Sequence, residues 1–319
     1  MLIDVKRGLV RIEAPAKLNL FLEIHGKRAD GYHEIESLMC PISLCDTLEL
    51  RSTLEPELSL EMECPIAVVL EKKDPAWDIP SDERNLVYRA VKRVRECLSV
   101  QTGCRIKLKK SIPAAAGLGG GSSDAAAAVV AAMLAWGSWD RSLATQICAE
   151  LGSDLNFFLG DDKRIGFALV TGRGENCEIL DFCPALEFVV THPPDGCSTS
   201  AVYADWHNSG SIRRPRDLIE ACRSEDLERI GSLLFNGLEA SAGASTPWIK
   251  KQLDVFRSFH FPYNAMTGSG SSCFALVPAT YTMSNMRRAA NDAGLSRVYA
   301  VKSWYQPSIE DQIRLIRPS

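Results

Sequence analysis

Pro113-Ala114-Ala115-Ala116-Gly117-Leu118-Gly119-Gly120-Gly121-Ser122-Ser123, closed by Asp124, leads into an apolar run from Ala125 to Trp136 with the composition of a buried helix. The stretch reads as a flexible loop feeding a helix N-terminus. Its glycines and serines leave backbone N–H groups free to converge on one anion, and the helix start adds unpaired N–H groups and the positive end of its dipole. A phosphate ligand is therefore the first expectation. A Walker A loop needs Gly-Lys-Ser/Thr where the helix begins, but Gly121 is followed by Ser122 and Ser123. A dinucleotide fingerprint needs glycine three residues after Gly119, where Ser122 stands. Protein-kinase signatures (His-Arg-Asp, Asp-Phe-Gly) are absent from the sequence. The competing reading is a plain glycine-rich turn capped by serine, which would suffice if the loop stood alone.

Composition narrows the rest. A chain of 319 residues, 46% of them apolar, can bury a full core and suggests two ordinary domains. A net charge of −4, with no run of Lys or Arg longer than two, gives no footprint for nucleic acid. No apolar run approaches the roughly 20 residues that span a bilayer, and Met1 to Arg11 lacks the apolar region of a signal peptide. A cytoplasmic protein with no membrane contact is expected, and no obligate protein partner is evident. The eleven cysteines include no Cys-x-x-Cys pair, which argues against both a disulfide framework and a zinc site.

Along the chain, periodicity predicts strands over 10–13, 18–24, part of 38–50, 104–109, 165–170, 186–191, 273–277 and 298–303. It predicts helices over 85–98 and 142–151 and around Leu218, Leu233, Lys251 and Met286. Residues 194–214 are rich in turn formers. The order is α+β rather than a repeat array. Three further segments carry chemistry. In Pro15-Ala16-Lys17-Leu18-Asn19-Leu20, Lys17 and Asn19 share one face of a strand, which reads either as a cleft lining or as a solvated face. Gly152-Ser153-Asp154 sets one carboxylate ahead of Phe157 and Phe158, as a helix cap or as a general base. Thr267-Gly268-Ser269-Gly270-Ser271-Ser272 is a helix-to-strand turn, or a place where backbone closely approaches the first loop.

These four motifs, in this order and at these distances, resemble the GHMP small-molecule kinases over nearly the whole chain. Arg28-Ala29-Asp30-Gly31-Tyr32-His33 resembles the branch of that superfamily acting on a cytidine diphosphate-linked methylerythritol in the non-mevalonate isoprenoid pathway. The resemblance implies a two-domain fold. An N-terminal α/β domain like ribosomal protein S5 domain 2 is expected over residues 1–172, and a C-terminal ferredoxin-like domain over 173–319, with the active site between them.

The resemblance also implies roles. Asp154 would be the catalytic base and Lys17 the catalytic lysine. ATP with Mg²⁺ would lie along the loop from Pro113 to Ser123, with Asn85 and Lys110 lining the nucleotide pocket and Ser122 or Ser123 near the metal. Tyr32 and Tyr203 would sandwich the cytosine, His33 would bond its edge, and Asn19 and Thr267 would complete the acceptor site. The run after the catalytic aspartate departs from the family's Val-Pro, with Leu155 and Asn156 in its place, and Ala114 to Ala116 replace a more glycine-rich lead into the loop. Insertions at 71–80 and 206–214 fall where surface loops are expected. Two other readings compete: another GHMP enzyme, of the homoserine or mevalonate kinase type or a diphosphomevalonate decarboxylase, and a non-catalytic ligand sensor on the same fold. The former has no need of the Tyr32-His33 pair, and retention of Lys17 with Asp154 argues against the latter.

Overall fold

Val10, Ile12, Ala14, Ala16, Leu18 and Leu20 recur at every second position and are all at most 1% exposed, the period of a strand; from Ala14 to Ile24 the alternate residues are buried as well, so both faces are covered there. The computed structural model, which describes all residues except 7, 65–76, 209, 211, 278–283, 296 and 317–319, makes them a single strand. Sequence reading split this strand in two because Pro15 interrupts it. The proline is accommodated at a register shift between Pro15 and Ala16, where a missing N–H costs the ladder little.

The first half of the chain contains β1 (Leu2–Lys6), β2 (Leu9–Lys27), β3 (His33–Ser52), β4 (Leu58–Glu63), α1 (Leu86–Cys97), β5 (Cys104–Lys109), α2 (Gly120–Ala135), α3 (Arg141–Leu151), α4 (Leu155–Leu159), β6 (Arg164–Ile165), β7 (Ala168–Gly172) and β8 (Asn176–Ile179). The second half contains β9 (Glu187–His192), α5 (Thr199–Ala204), α6 (Arg216–Arg223), α7 (Leu227–Ser232), β10 (Phe235–Asn236), α8 (Glu239–Ser245), α9 (Trp248–Ser258), β11 (Asn264–Met266), β12 (Cys273–Leu276), α10 (Ser284–Asp292), β13 (Arg297–Lys302), β14 (Gln306–Pro307) and α11 (Ile309–Ile316).

The β2–β3 hairpin is the spine of the larger sheet. One end of it is flanked by β1 and by β5 with β4; at the other, β10 pairs with β2, and β7 with β8 extends from β3. A smaller antiparallel sheet runs β11-β12-β9-β13. Under the first end of the hairpin, α1 buries Val87, Ala90, Val91 and Val94, and α2 is buried along its whole length from Ala125 to Met133. A second core, including Leu18, Leu20, Cys40, Phe188, Val190 and Phe274, joins the hairpin to the smaller sheet. Alternation along β9 sends Val189 to the opposite face, where it packs in a third core with Ile249, Leu253 and Phe256 of α9. Phe188 and Phe274, in edge-to-face contact at 5.7 Å, each contribute roughly 1.5–3 kcal/mol by burial.

Two expectations change. The helix predicted after the loop begins at Gly120, not after Asp124, with Gly119 at φ +71 as its cap residue. Glycine and serine are tolerated there because first-turn N–H groups have no helical partner in any case. Residues 194–214 are not wholly irregular, since Ser198 caps the short helix α5 by accepting from Ala201 N–H. All eleven cysteines are free. Among the described residues no helix is long and apolar enough to cross a membrane. The insertion expected at 71–80 lies largely outside the described residues.

Candidate active site

Lys17 and Asn19 do share a face of β2, and the Lys17 ammonium donates to Asn19 Oδ1. Both side chains are buried, at 4% and 2% exposure. Asn19 is fixed further by Thr267, whose hydroxyl accepts the Asn19 backbone N–H at 2.9 Å and donates to its Oδ1 at 3.3 Å, while Asn19 Nδ2 donates to Ser37 Oγ at 2.8 Å. Thr267 itself is fully buried, so it acts here through Asn19.

The two small-residue loops meet, as the second reading of the Thr267 segment anticipated. Ser272 N–H donates to Ala116 C=O at 3.3 Å, and Lys17 N–H to Leu118 C=O at 2.9 Å. Gly117 lies so close to the second loop that a Cβ on it would stand 2.4 Å from the Thr267 carbonyl oxygen. The Lys17 side chain threads between the loops, 3.0 Å at Cγ from where a Cβ on Gly119 would be and 3.2 Å at Nζ from one on Gly268. Only glycine leaves this passage open.

Asp154 precedes α4, but its carboxylate accepts no capping bond from that helix. Its alternative role as a helix cap is therefore not taken up. It faces the β7–β8 turn, where a Cβ on Gly174 would lie 3.3 Å from Asp154 Oδ1. Among the described residues no ion pair joins Lys17 to Asp154, yet the carboxylate acts on the lysine: burial lowers the Lys17 pKa, and the Asp154 charge partly offsets that fall. Burial and the same carboxylate together raise the pKa of Tyr203. Leu155 and Asn156 fall on α4, with Leu155 fully buried in the first core.

Lys17, Asn19, Asp154, Tyr32, His33 and Tyr203 line one cleft of about 810 Å³, whose wall includes Gly117, Gly119 and Gly268. His33 packs against Tyr203 with ring centroids 5.2 Å apart and meets Trp206 edge-on at 5.8 Å. Burial and neighbouring Lys27 lower its pKa, which favours neutral imidazole. Tyr32 is 54% exposed and carries the Arg173 guanidinium 5.0 Å from its ring centroid. Sequence reading missed Lys27 and Arg173, which also line the cleft. The signal for Arg173 was its place between Gly172 and Gly174, both at positive φ, a turn that exposes a charged side chain at its tip. With Lys17 these give three cations against Asp154 in a chain of net charge −4, a lining suited to an anionic ligand.

Asn85 and Lys110 are not brought into that cleft. Asn85 caps α1, accepting from Val87 N–H at 2.9 Å and donating to Pro80 C=O at 2.7 Å. Lys110 is 3% exposed and sits between the carboxylates of Asp46 and Asp124. Burial alone would lower its pKa, but the two carboxylates outweigh it and raise it. Ala114 and Ala116 flank Ala115, which adopts φ +53, a left-handed conformation uncommon outside glycine. Pro113 and Ala116 are buried, while Gly121 is exposed at the start of α2.

Family models match in two places: "GHMP kinases N terminal domain" over residues 85–160 and "GHMP kinases C terminal" over 218–295. A 4-diphosphocytidyl-2-C-methyl-D-erythritol kinase of Rhodopirellula baltica is 35% identical over 83% of this chain and 86% of its own length. One from Listeria monocytogenes is 35% identical over 92% of this chain and 96% of its own. The chain belongs to the 4-diphosphocytidyl-2-C-methyl-D-erythritol kinase family. A crystal structure titled as a 4-(cytidine 5'-diphospho)-2C-methyl-D-erythritol kinase superposes with a TM-score of 0.72 at 29% identity, covering 92% of this chain and 99% of that one. A mevalonate kinase from Methanococcus jannaschii, at 17% identity and a TM-score of 0.63, shares the fold. As a GHMP kinase, this 4-diphosphocytidyl-2-C-methyl-D-erythritol kinase family member is an ATP-dependent small-molecule kinase.

Proposed function

We propose that the chain transfers the γ-phosphoryl group of ATP to the 2-hydroxyl of 4-diphosphocytidyl-2-C-methyl-D-erythritol, with Asp154 as general base. The observation that carries this reading is the convergence of Asp154 and Lys17 with Tyr32, His33 and Tyr203 in one cleft, against the Gly117–Gly119 turn. The Asp154 carboxylate accepts the acceptor's hydroxyl proton as the oxygen attacks phosphorus, and ADP leaves with the bridging electron pair. Lys17, held by Asn19, keeps positive charge beside that carboxylate and the reacting oxygens. Backbone N–H groups from Gly117 to Ser122 and the N-terminus of α2 receive the triphosphate, a job of positioning and charge neutralisation.

Magnesium binds such sites through few protein oxygens and the nucleotide's own phosphates. Among the described residues no three of His, Cys, Asp and Glu cluster to cage a metal. Ser123 Oγ is buried without a hydrogen-bond partner, and this hard oxygen donor suits a phosphate-bound magnesium; Ser122 is the second candidate. When bound, the ion neutralises charge on the triphosphate.

The acceptor's cytosine fits between Tyr32 and Tyr203 with His33 at its edge, and Lys27 and Arg173 suit its diphosphate. Lys110 would serve the nucleotide side from behind the loop rather than from the cleft wall, and Asn85 through the start of α1 that it caps. We place the domain division after Ile179 rather than after Gly172, since β8 still pairs with β7 in the larger sheet. The test is a coupled ADP-release assay with three acceptors. Turnover with the cytidyl acceptor and none with mevalonate or homoserine is expected; the reverse pattern overturns the assignment.

A further inference from the structure

The nine residues between Lys110 and Gly120 form the proposed triphosphate cradle, and both of its ends are tied to one buried ammonium. Lys110 Nζ, immediately after β5, donates to Asp46 Oδ2 on β3 and, at 2.6 Å, to Asp124 Oδ2 on α2. The other oxygen of Asp46 accepts the backbone N–H groups of Ser111 and Ile112, at 2.5 and 2.9 Å. Three consecutive residues thus wrap one carboxylate just where the strand turns into the loop. At the loop's far end the same ammonium lies under the first turn of α2, 3.4 Å from where a Cβ on Gly120 would stand, and Ile112 Cγ2 lies 2.9 Å from that point. Exposure of all three side chains is 3% or less. Two of the three Lys110 Nζ donors are therefore taken by protein carboxylates, and the side chain does not line the cleft.

We propose that Asp46, Lys110 and Asp124 are positioning residues that staple the two ends of the phosphate loop, so that Lys110 serves ATP through loop geometry without touching it. This rests on the reading of that loop as the ATP site. A solvated lysine at a strand end would be replaceable; a buried one between two carboxylates transmits any change to both ends of the loop, because unpaired buried charge forces local rearrangement. No local sequence pattern marks Asp46: it lies 64 residues from Lys110, and the β3–β5 pairing brings the two together.

The test compares Asp46→Asn, Lys110→Met and their combination. ATP affinity is read by titration with a fluorescent ATP analogue, alongside KM for ATP, KM for the acceptor, and thermal midpoint. Asp46→Asn should weaken ATP binding and raise its KM about tenfold, with acceptor KM within about twofold, and hydrogen exchange should quicken at Ser111 and Ile112. Because the residues act as one unit, the combination should be no worse than Lys110→Met alone. Should Lys110→Met not fold, Lys110→Met with Asp124→Asn replaces the ammonium and one of its two acidic partners together; Asp46→Asn added to it should again cost little more. The proposal is overturned if Asp46→Asn leaves ATP affinity intact while the lysine variants abolish it, which would make Lys110 a direct ligand. Equal rises in both KM values also overturn it, as general damage. Failure of the wild-type protein to bind the ATP analogue refutes instead the reading of the loop itself.

Discussion

Replacing Gly117 with alanine tests whether contact between the two loops sets the site. Gly117 has φ +72, and the new Cβ would lie 2.4 Å from the Thr267 carbonyl oxygen and 2.9 Å from that of Gly270. Left-handed backbone costs an L-residue about 1–2 kcal/mol by itself. Reaching ordinary contact at 3.4 Å further requires the loops to part by about 1 Å, a displacement that costs on the order of 10²-fold in rate where reacting groups must align. That corresponds to about 2.7 kcal/mol of barrier. Steady-state ADP release should thus show kcat/KM down by about 10²-fold, with a thermal midpoint lowered by roughly 3–6 °C. Gly121→Ala is the control for stability, since nothing lies within 4 Å of its Cβ and its φ is not positive; its midpoint should not fall. Gly117→Ala with activity within threefold of wild type and an unchanged midpoint would refute the argument that this contact aligns the site.

Asp154→Asn should keep ATP binding and lose about 10²–10⁴-fold in kcat, the usual contribution of a general base, as measured under saturating substrates. Arg173→Met should raise the acceptor KM about tenfold with little change in ATP KM, if the guanidinium meets the acceptor's diphosphate; equal KM values for wild type and variant count against it. Acid stability should reflect His192, whose imidazole pairs with Ser272 Oγ and is pushed by burial to about 4 from an ordinary 6.5. The unfolded chain then binds the extra proton between those values, so His192 contributes full stability above pH 6.5 and loses up to about 3 kcal/mol as pH falls to 4. Denaturant midpoints measured from pH 4 to 7 should show that slope flattened in His192→Gln.

Local chemistry made much of the fold legible. The β5 strand shows in the alternation of Cys104 to Lys109, and α1 in its apolar stripe with Asn85 as cap. The single strand β2 was not legible, because a proline inside a strand reads as a break until a partner strand supplies the bulge. Two-residue pieces such as β10 carry too few residues for any period. At the site, Lys17 and Asn19 could be paired from strand alternation alone, and the resemblance supplied Asp154, Tyr32 and His33. Arg173 carried a local signal, the flanking Gly172 and Gly174, but its place over the cleft depends on β3 pairing with β7; Asp46 carried none, since it acquires its surroundings only when β3 pairs with β5, a contact between distant segments.

The passage of Lys17 between the two loops makes the cleft a linked system. Its backbone N–H is bonded to the first loop at Leu118, and its ammonium to Asn19, which Thr267 of the second loop holds in turn. If the first loop holds the nucleotide and Asn19 the acceptor, as proposed, a nucleotide that tightens that loop should also order the acceptor's neighbours. By reciprocity, an acceptor that orders Asn19 raises affinity for ATP by the same factor. The two substrates should thus bind with positive cooperativity, each lowering the entropic cost of admitting the other.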